Sequence, residues 1–134
     1  LPHVLYGETA EVDDERNFVR MRRLKAPENL NWRSFKDGMM VCHQAFYARR
    51  DIAPLYDLKY RLSSDVDWCI KVMKASTRLV KVDAVVVNYL QNGLSLKRHR
   101  ESLIERFKVM CSHYGVLPTI CRHIWFVLRA VIKK

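Results

Sequence analysis

Between residues 39 and 50 the chain reads MMVCHQAFYARR, and both of its alternating faces are apolar: Met40, Cys42 and Phe46 on one, Val41, Ala45 and Tyr47 on the other. A strand with no wet face must be covered on both sides, which is the situation of a central strand in an α/β sheet. This stretch therefore predicts an α/β fold, with a sheet flanked by helices. The polar pair His43–Gln44 interrupts the apolar run. Either the imidazole and amide bond to nearby backbone inside a covered strand, or they sit at the strand's end, where open α/β sheets bind ligands.

The rest of the chain supplies neighbours for such a strand. LPHVLYGETAEV reads as a strand, DDERN as a turn rich in turn-forming Asp, and FVRMRRL as a second strand, which together make a hairpin. NWRSFKDG suits a short helix with Asn31 as N-cap and Gly38 just past its end. DIAPLYDLKYRL reads as a short helix and loop, and TRLVKVDAVVVNYL as one or two strands. A polar loop, QNGLSLKRHR, leads into an amphipathic helix over 99–114, with Leu103, Ile104, Phe107, Met110, Cys111 and Tyr114 on one side. A last helical segment follows, with Pro118 near its first turn. At 134 residues this is one domain at most, and its 49% apolar and 28% charged composition excludes a disordered chain.

SSDVDWCIKVMKA predicts a helix from Ser64 to Ala75 that opens on two acids. With Ser64 as N-cap, Asp67 stands where a capping-box acid belongs, four residues before Lys71 and on a face with Lys74, and reads as a solvated structural acid. Asp65 shares its stripe with the apolar Cys69 and Val72 and points toward whatever the helix packs against. The two acids are about 200° apart on the helix, so they should not share one job. The plain role for Asp65 is to complement the helix dipole, worth under about 1 kcal/mol. The same positive helix end also keeps a carboxylate ionised, as a general base must be.

Lysine and arginine total 24 against 14 acids, giving a formal charge of +10 and an attraction to something anionic: nucleic acid, a lipid surface or a phosphorylated small molecule. A non-catalytic basic module binding a membrane surface or nucleic acid is one reading of this charge, but no recognition-helix, knuckle or aromatic RNA-sheet pattern is present, so nucleic acid is not an expected partner. Cys42, Cys69, Cys111 and Cys121 are not spaced as metal-finger pairs, and each is flanked by apolar residues. They read as buried free thiols of a cytoplasmic protein. Leu1 opens a strand-like run with no polar lead-in, which suggests a piece of a longer protein.

Taken together, LYGE, VCHQAFYARRDI, YDLKYRLSSDVDWCIKVMK and NGLSLKRHRES resemble the C-terminal half of bacterial family 2 glycosyltransferases of the cell-surface polysaccharide type, over residues 1 to about 115. The resemblance implies the GT-A fold, a Rossmann-like mixed sheet flanked by helices. Residues 1–95 would be its acceptor-side half, and 96–134 C-terminal helices. It also implies inverting transfer of a sugar from a nucleotide-sugar donor to a hydroxyl of a saccharide or lipid-linked acceptor.

By resemblance, Asp65 matches the catalytic base, although Ser64 stands where the family carries Glu. His43, Gln44 and Asp67 match the acceptor side. The loop over 92–98, with Ser95, Arg98 and His99, matches a region that closes near the donor diphosphate; Arg98, His99 and Arg100 would neutralise charge on the leaving group. Magnesium or manganese is expected for the full-length enzyme, bound upstream of Leu1, since VDDE at 12–15 reads as the hairpin turn. This half alone is expected to be inactive, with a sheet edge open to self-association.

Residues 116–134 form a greasy segment on which Arg122, Arg129 and Lys133 fall within about 40° of one another. The segment is slightly short for a membrane span, which needs about 20 apolar residues. Two placements compete: an interfacial helix on the inner, anionic face of the plasma membrane, or a helix docked on the domain with its cationic stripe facing water.

Overall fold

A computed structural model describes residues 2–90 and 98–132. It is a mixed α/β structure built on strand β1 (Val4–Val12). Strand β2 (Phe18–Met21) returns antiparallel to the far end of β1, pairing Ala10 with Met21, after a tight turn over 13–17. The Asp13 carboxylate accepts from the backbone N–H of Glu15 (3.0 Å) and Asn17 (2.9 Å). This is the self-bonded Asp turn expected of VDDE. Strand β3 (Phe46–Ala48) pairs antiparallel with Val4–Tyr6, and the long strand β4 (Leu79–Leu90) runs parallel to the whole of β1. A strand has only two edges. Since β4 occupies one of them throughout, β2 and β3 must share the other, one at each end.

The covered central strand is thus β1, and residues 39–48 do not form it. Gly38, at φ 115°, turns the chain; Met39, Val41 and Cys42 are buried; His43–Ala45 make a single 3-10 turn; only Phe46–Ala48 is strand. A 3-10 turn repeats near every third residue and can bury neighbours that a strand would point to opposite faces. Two-sided apolarity therefore arose here without a strand.

Gly7 shows how closely β1 and β4 approach. A Cβ on it would lie 3.0 Å from the Ala84 carbonyl oxygen and 3.0 Å from a Val86 methyl, and the register between the strands slips on either side of Glu8. The Tyr6 hydroxyl donates to the carbonyls of Pro27 (2.6 Å) and Glu28 (3.0 Å) and holds the 26–30 loop over the strand. Among the described residues the outer edge of β4 has no partner strand.

Helix α1 (Ser64–Ala75) has the predicted bounds, and it buries Val66, Cys69, Ile70, Val72 and Met73. Its cap differs from expectation. Ser63 occupies the N-cap position, and the Ser63 hydroxyl donates to the Ser102 carbonyl (3.3 Å) instead of capping. Glu105 of the next helix holds the entry to α1 by accepting from the backbone N–H of Leu62 (2.8 Å) and Ser63 (3.0 Å). Trp68 donates to the Pro54 carbonyl (2.8 Å) and stacks on Tyr56, which ties the 50–60 loop to α1.

Helix α2 (His99–Tyr114) buries Ser102, Val109, Met110 and Tyr114, while Leu103 and Ile104 are exposed. Its inward face is rotated from the predicted apolar side because the side chains of Glu105 and His113 have polar partners on α1 and the residues just before it. Helix α3 (Val116–Ile132) follows after Gly115. Cys42 and Cys69 are buried as expected, but Cys111 is half-buried and Cys121 lies exposed on α3.

Candidate active site

The 3-10 turn and the first turn of α1 meet at one ion pair. His43 Nδ1 lies 3.0 Å from Asp65 Oδ2. Asp65 Oδ1 accepts from the Val66 N–H (2.9 Å). Each oxygen is thus held by a different donor, so the carboxylate has a fixed orientation while remaining 26% exposed. Two sequence-predicted residues from separate segments are brought together, and Gln44 stands exposed beside them on the same turn.

Hydrogen bonding to Asp65, with a further bond to Cys42, pushes the His43 pKa up to about 10. The ring is an imidazolium at neutral pH. Burial alone would raise the Cys42 thiol, but its hydrogen bonds with His43 and the Gln44 backbone bring it below the ordinary thiol value. Arg106 of α2 is within electrostatic reach of Asp65, whose charge opposes the lowering of the guanidinium's pKa by burial. Its Nε is buried without a hydrogen-bond partner. Cys42 and Arg106 are additions to the predicted site. Cys42 was legible only as an apolar thiol, and the sole signal for Arg106 was a charge at an inward position of α2.

Asp67 does not join this group. It is 2% exposed, not solvated. Its Oδ1 lies 2.7 Å from His113 Nε2, and Lys71 Nζ lies 2.8 Å from Oδ2, an ion pair by charge and distance but off the hydrogen-bonding direction. The predicted partnership with Lys71 is present, but His113 of α2 buries the acid. An acceptor-binding role for Asp67 has no geometric support, because both oxygens are committed inside the α1–α2 contact.

Arg98 is ion-paired with Glu101 at the entry of α2, Arg100 is exposed, and His99 lines a groove described below. Ser95 and the rest of the predicted diphosphate loop, 92–97, lie outside the described residues. Among the described residues no group of three or more His, Cys, Asp or Glu side chains is placed to hold a metal ion. Asp65 is already engaged by His43, so these donors do not fit a divalent cation.

No family model matches the chain, and no curated protein matches it.

Proposed function

We propose that the chain is the acceptor-side half of an inverting glycosyltransferase of GT-A fold, acting in cell-surface polysaccharide synthesis, with Asp65 as general base. The observation that carries this reading is the Asp65 carboxylate: oriented by two donors, partly open to solvent and set at a helix N-terminus beside the His43–Gln44 turn. In this mechanism the acceptor hydroxyl oxygen forms a bond to the anomeric carbon of the nucleotide-sugar. Its proton passes to Asp65, and the bond to the diphosphate breaks on the opposite face. His43 keeps the receiving carboxylate aligned, and Gln44 is free to hold the acceptor.

The test is made in the complete enzyme. Asp65→Asn should fold normally and lose sugar transfer by a factor of at least about 100, the lower range for a positioned base. Turnover near the parent rate would remove Asp65 from the chemistry.

A second reading concerns location. Arg122 is ion-paired with the partly exposed Asp37, and Arg129 packs over Phe126. Both arginines of the cationic stripe thus have partners at the domain's surface, and Lys133 lies outside the described residues. What faces out on α3 is apolar: Leu117, Ile124, Trp125, Leu128 and Val131 are all at least half exposed. No described helix is long and apolar enough to cross a membrane. We propose that this face lies in the interface of an anionic bilayer. The chain should co-sediment with vesicles containing phosphatidylglycerol, and Ile124→Asp/Leu128→Asp should abolish that. Equal pelleting of parent and variant would dismiss the lipid role.

A further inference from the structure

A groove of about 590 Å³ runs between the end of β2, α2 and the inward side of α3. That size suits a small-molecule site. Six basic side chains line it: Arg22, Arg23, His99, Arg106, His123 and Arg129. The single acid on its wall, Asp37, is already ion-paired with Arg122. The acids that act on these arginines from outside the groove are already paired: Asp65, near Arg106, with His43, and Glu11, near Arg22, with Arg20. Arg22 donates to the carbonyls of Met39 (2.6 Å) and Leu24 (3.4 Å), which satisfies donors but supplies no countercharge. The buried Arg106 Nε has no acceptor. A buried donor without a partner costs about 1–3 kcal/mol, more for a charged group. Burial lowers the pKa of both guanidiniums, and Arg106 lowers that of Arg22 further, so the two charges feel each other. The remaining wall is apolar, with Leu103, Phe126 and Val127 among its residues.

Clustered cations, two of them partly desolvated and neither of those two in an ion pair of its own among the described residues, set against a greasy wall, define the kind of ligand the groove suits. We infer that the groove binds the phosphate head of an amphiphile, with the phosphate on Arg22, Arg106 and Arg129 and the first carbons of its chain on Leu103, Phe126 and Val127. A bare inorganic anion leaves the apolar wall unused, and an uncharged lipid leaves the arginines unpaired. The position of the groove under α3 fits a ligand drawn from a bilayer on which that helix lies. The inference does not depend on sugar transfer: binding needs only the groove, and it can hold or fail whatever Asp65 does.

Titration calorimetry with monomeric decyl phosphate, inorganic phosphate and a neutral decyl glycoside tests it. Decyl phosphate should bind at least tenfold more tightly than either of the others. Arg106→Met should weaken it about tenfold or more, the loss of one charge-assisted hydrogen bond. Arg129→Gln should weaken it several-fold, and the exposed Arg50→Gln should leave it unchanged. Should Arg106→Met not fold, Arg22→Gln and Arg129→Gln carry the comparison. Inorganic phosphate binding as tightly as decyl phosphate would overturn the amphiphile assignment. Equal binding of the neutral glycoside, or equal losses in Arg50→Gln and the groove variants, would overturn the site.

Discussion

Replacing Asp67 with alanine is expected to lower the unfolding free energy by about 3 kcal/mol, a large fraction of the stability of a domain this size. The reason lies in the tautomer that the contacts impose on His113. Lys74 Nζ stands 2.9 Å from His113 Nδ1, and an ammonium can only donate, so Nδ1 must be the acceptor. The proton then sits on Nε2, facing Asp67 Oδ1 at 2.7 Å. Removing the carboxylate leaves a buried N–H without an acceptor and takes the counter-ion from Lys71. Asp67→Asn keeps an acceptor and should cost less. Changing Asp67 and His113 together to apolar residues should cost less than the sum of the single changes, because no polar group is then stranded. Urea denaturation of the parent and these variants, with His113 also changed alone, measures this. A cost for Asp67→Ala below about 0.5 kcal/mol, the value for a surface acid, would refute the buried network.

The same contacts fix an acid-side response. Burial is the main cause that holds His113 below its ordinary pKa, and Lys74 adds to it against the opposing pull of Asp67. A histidine whose pKa is depressed on folding contributes stability in full above its unfolded value, near 6.5. That contribution is lost as pH falls through the folded value, when a proton on Nδ1 would meet the Lys74 ammonium.

Much of this architecture was readable along the chain. The bounds of α1, the hairpin with its Asp turn, and β4 follow from local periodicity and turn chemistry, which neighbours a few residues away decide. The failures at Asp67 and α2 share one cause: polar residues that became buried by finding a distant partner. Asp67 reads as solvated because its local partner is Lys71, and nothing near it announces His113. Helix α2 was rotated by its apolar count because Glu105 and His113 read as surface residues until α1 and the residues before it supply their partners. The 39–48 stretch failed in the opposite way. Much of it is buried as expected, but by a turn instead of a strand, and burial alone does not distinguish the two. The His43–Asp65 pair joins a turn after Gly38 to a helix start, and each half was legible while their meeting was a property of the fold. For α3 the greasy composition was plain, but the direction it faces is set by Thr119, His123 and Phe126 packing inward, against neighbours the local sequence does not name.

The ring of His43 is expected to titrate near pH 10 and, in Asp65→Asn, to fall toward its ordinary value of 6.5. The groups that act on it are Asp65 of α1, which comes first, and Cys42 on its own segment. The amide introduced by that substitution would still offer an oxygen to Nδ1 but no charge, so most of the rise should vanish, whereas Cys42→Ala should remove a smaller part. The Cε1 proton of His43, followed by NMR from pH 5 to 11, reports both. Titration of the parent near 6.5, or no movement in Asp65→Asn, would mean the two side chains do not meet. The sign for stability is opposite to that of His113. A raised histidine pKa contributes in full below the unfolded value of 6.5, and the contribution drains away as pH climbs toward 10. With the ring 38% exposed, solvent screens the pair, so the stability change should be small even though the titration shift is large. That asymmetry separates the two histidine–aspartate pairs. One is sealed, with a neutral ring, and holds α1 to α2; the other is open, charged and aligned, with its carboxylate within reach of a proton arriving from solvent.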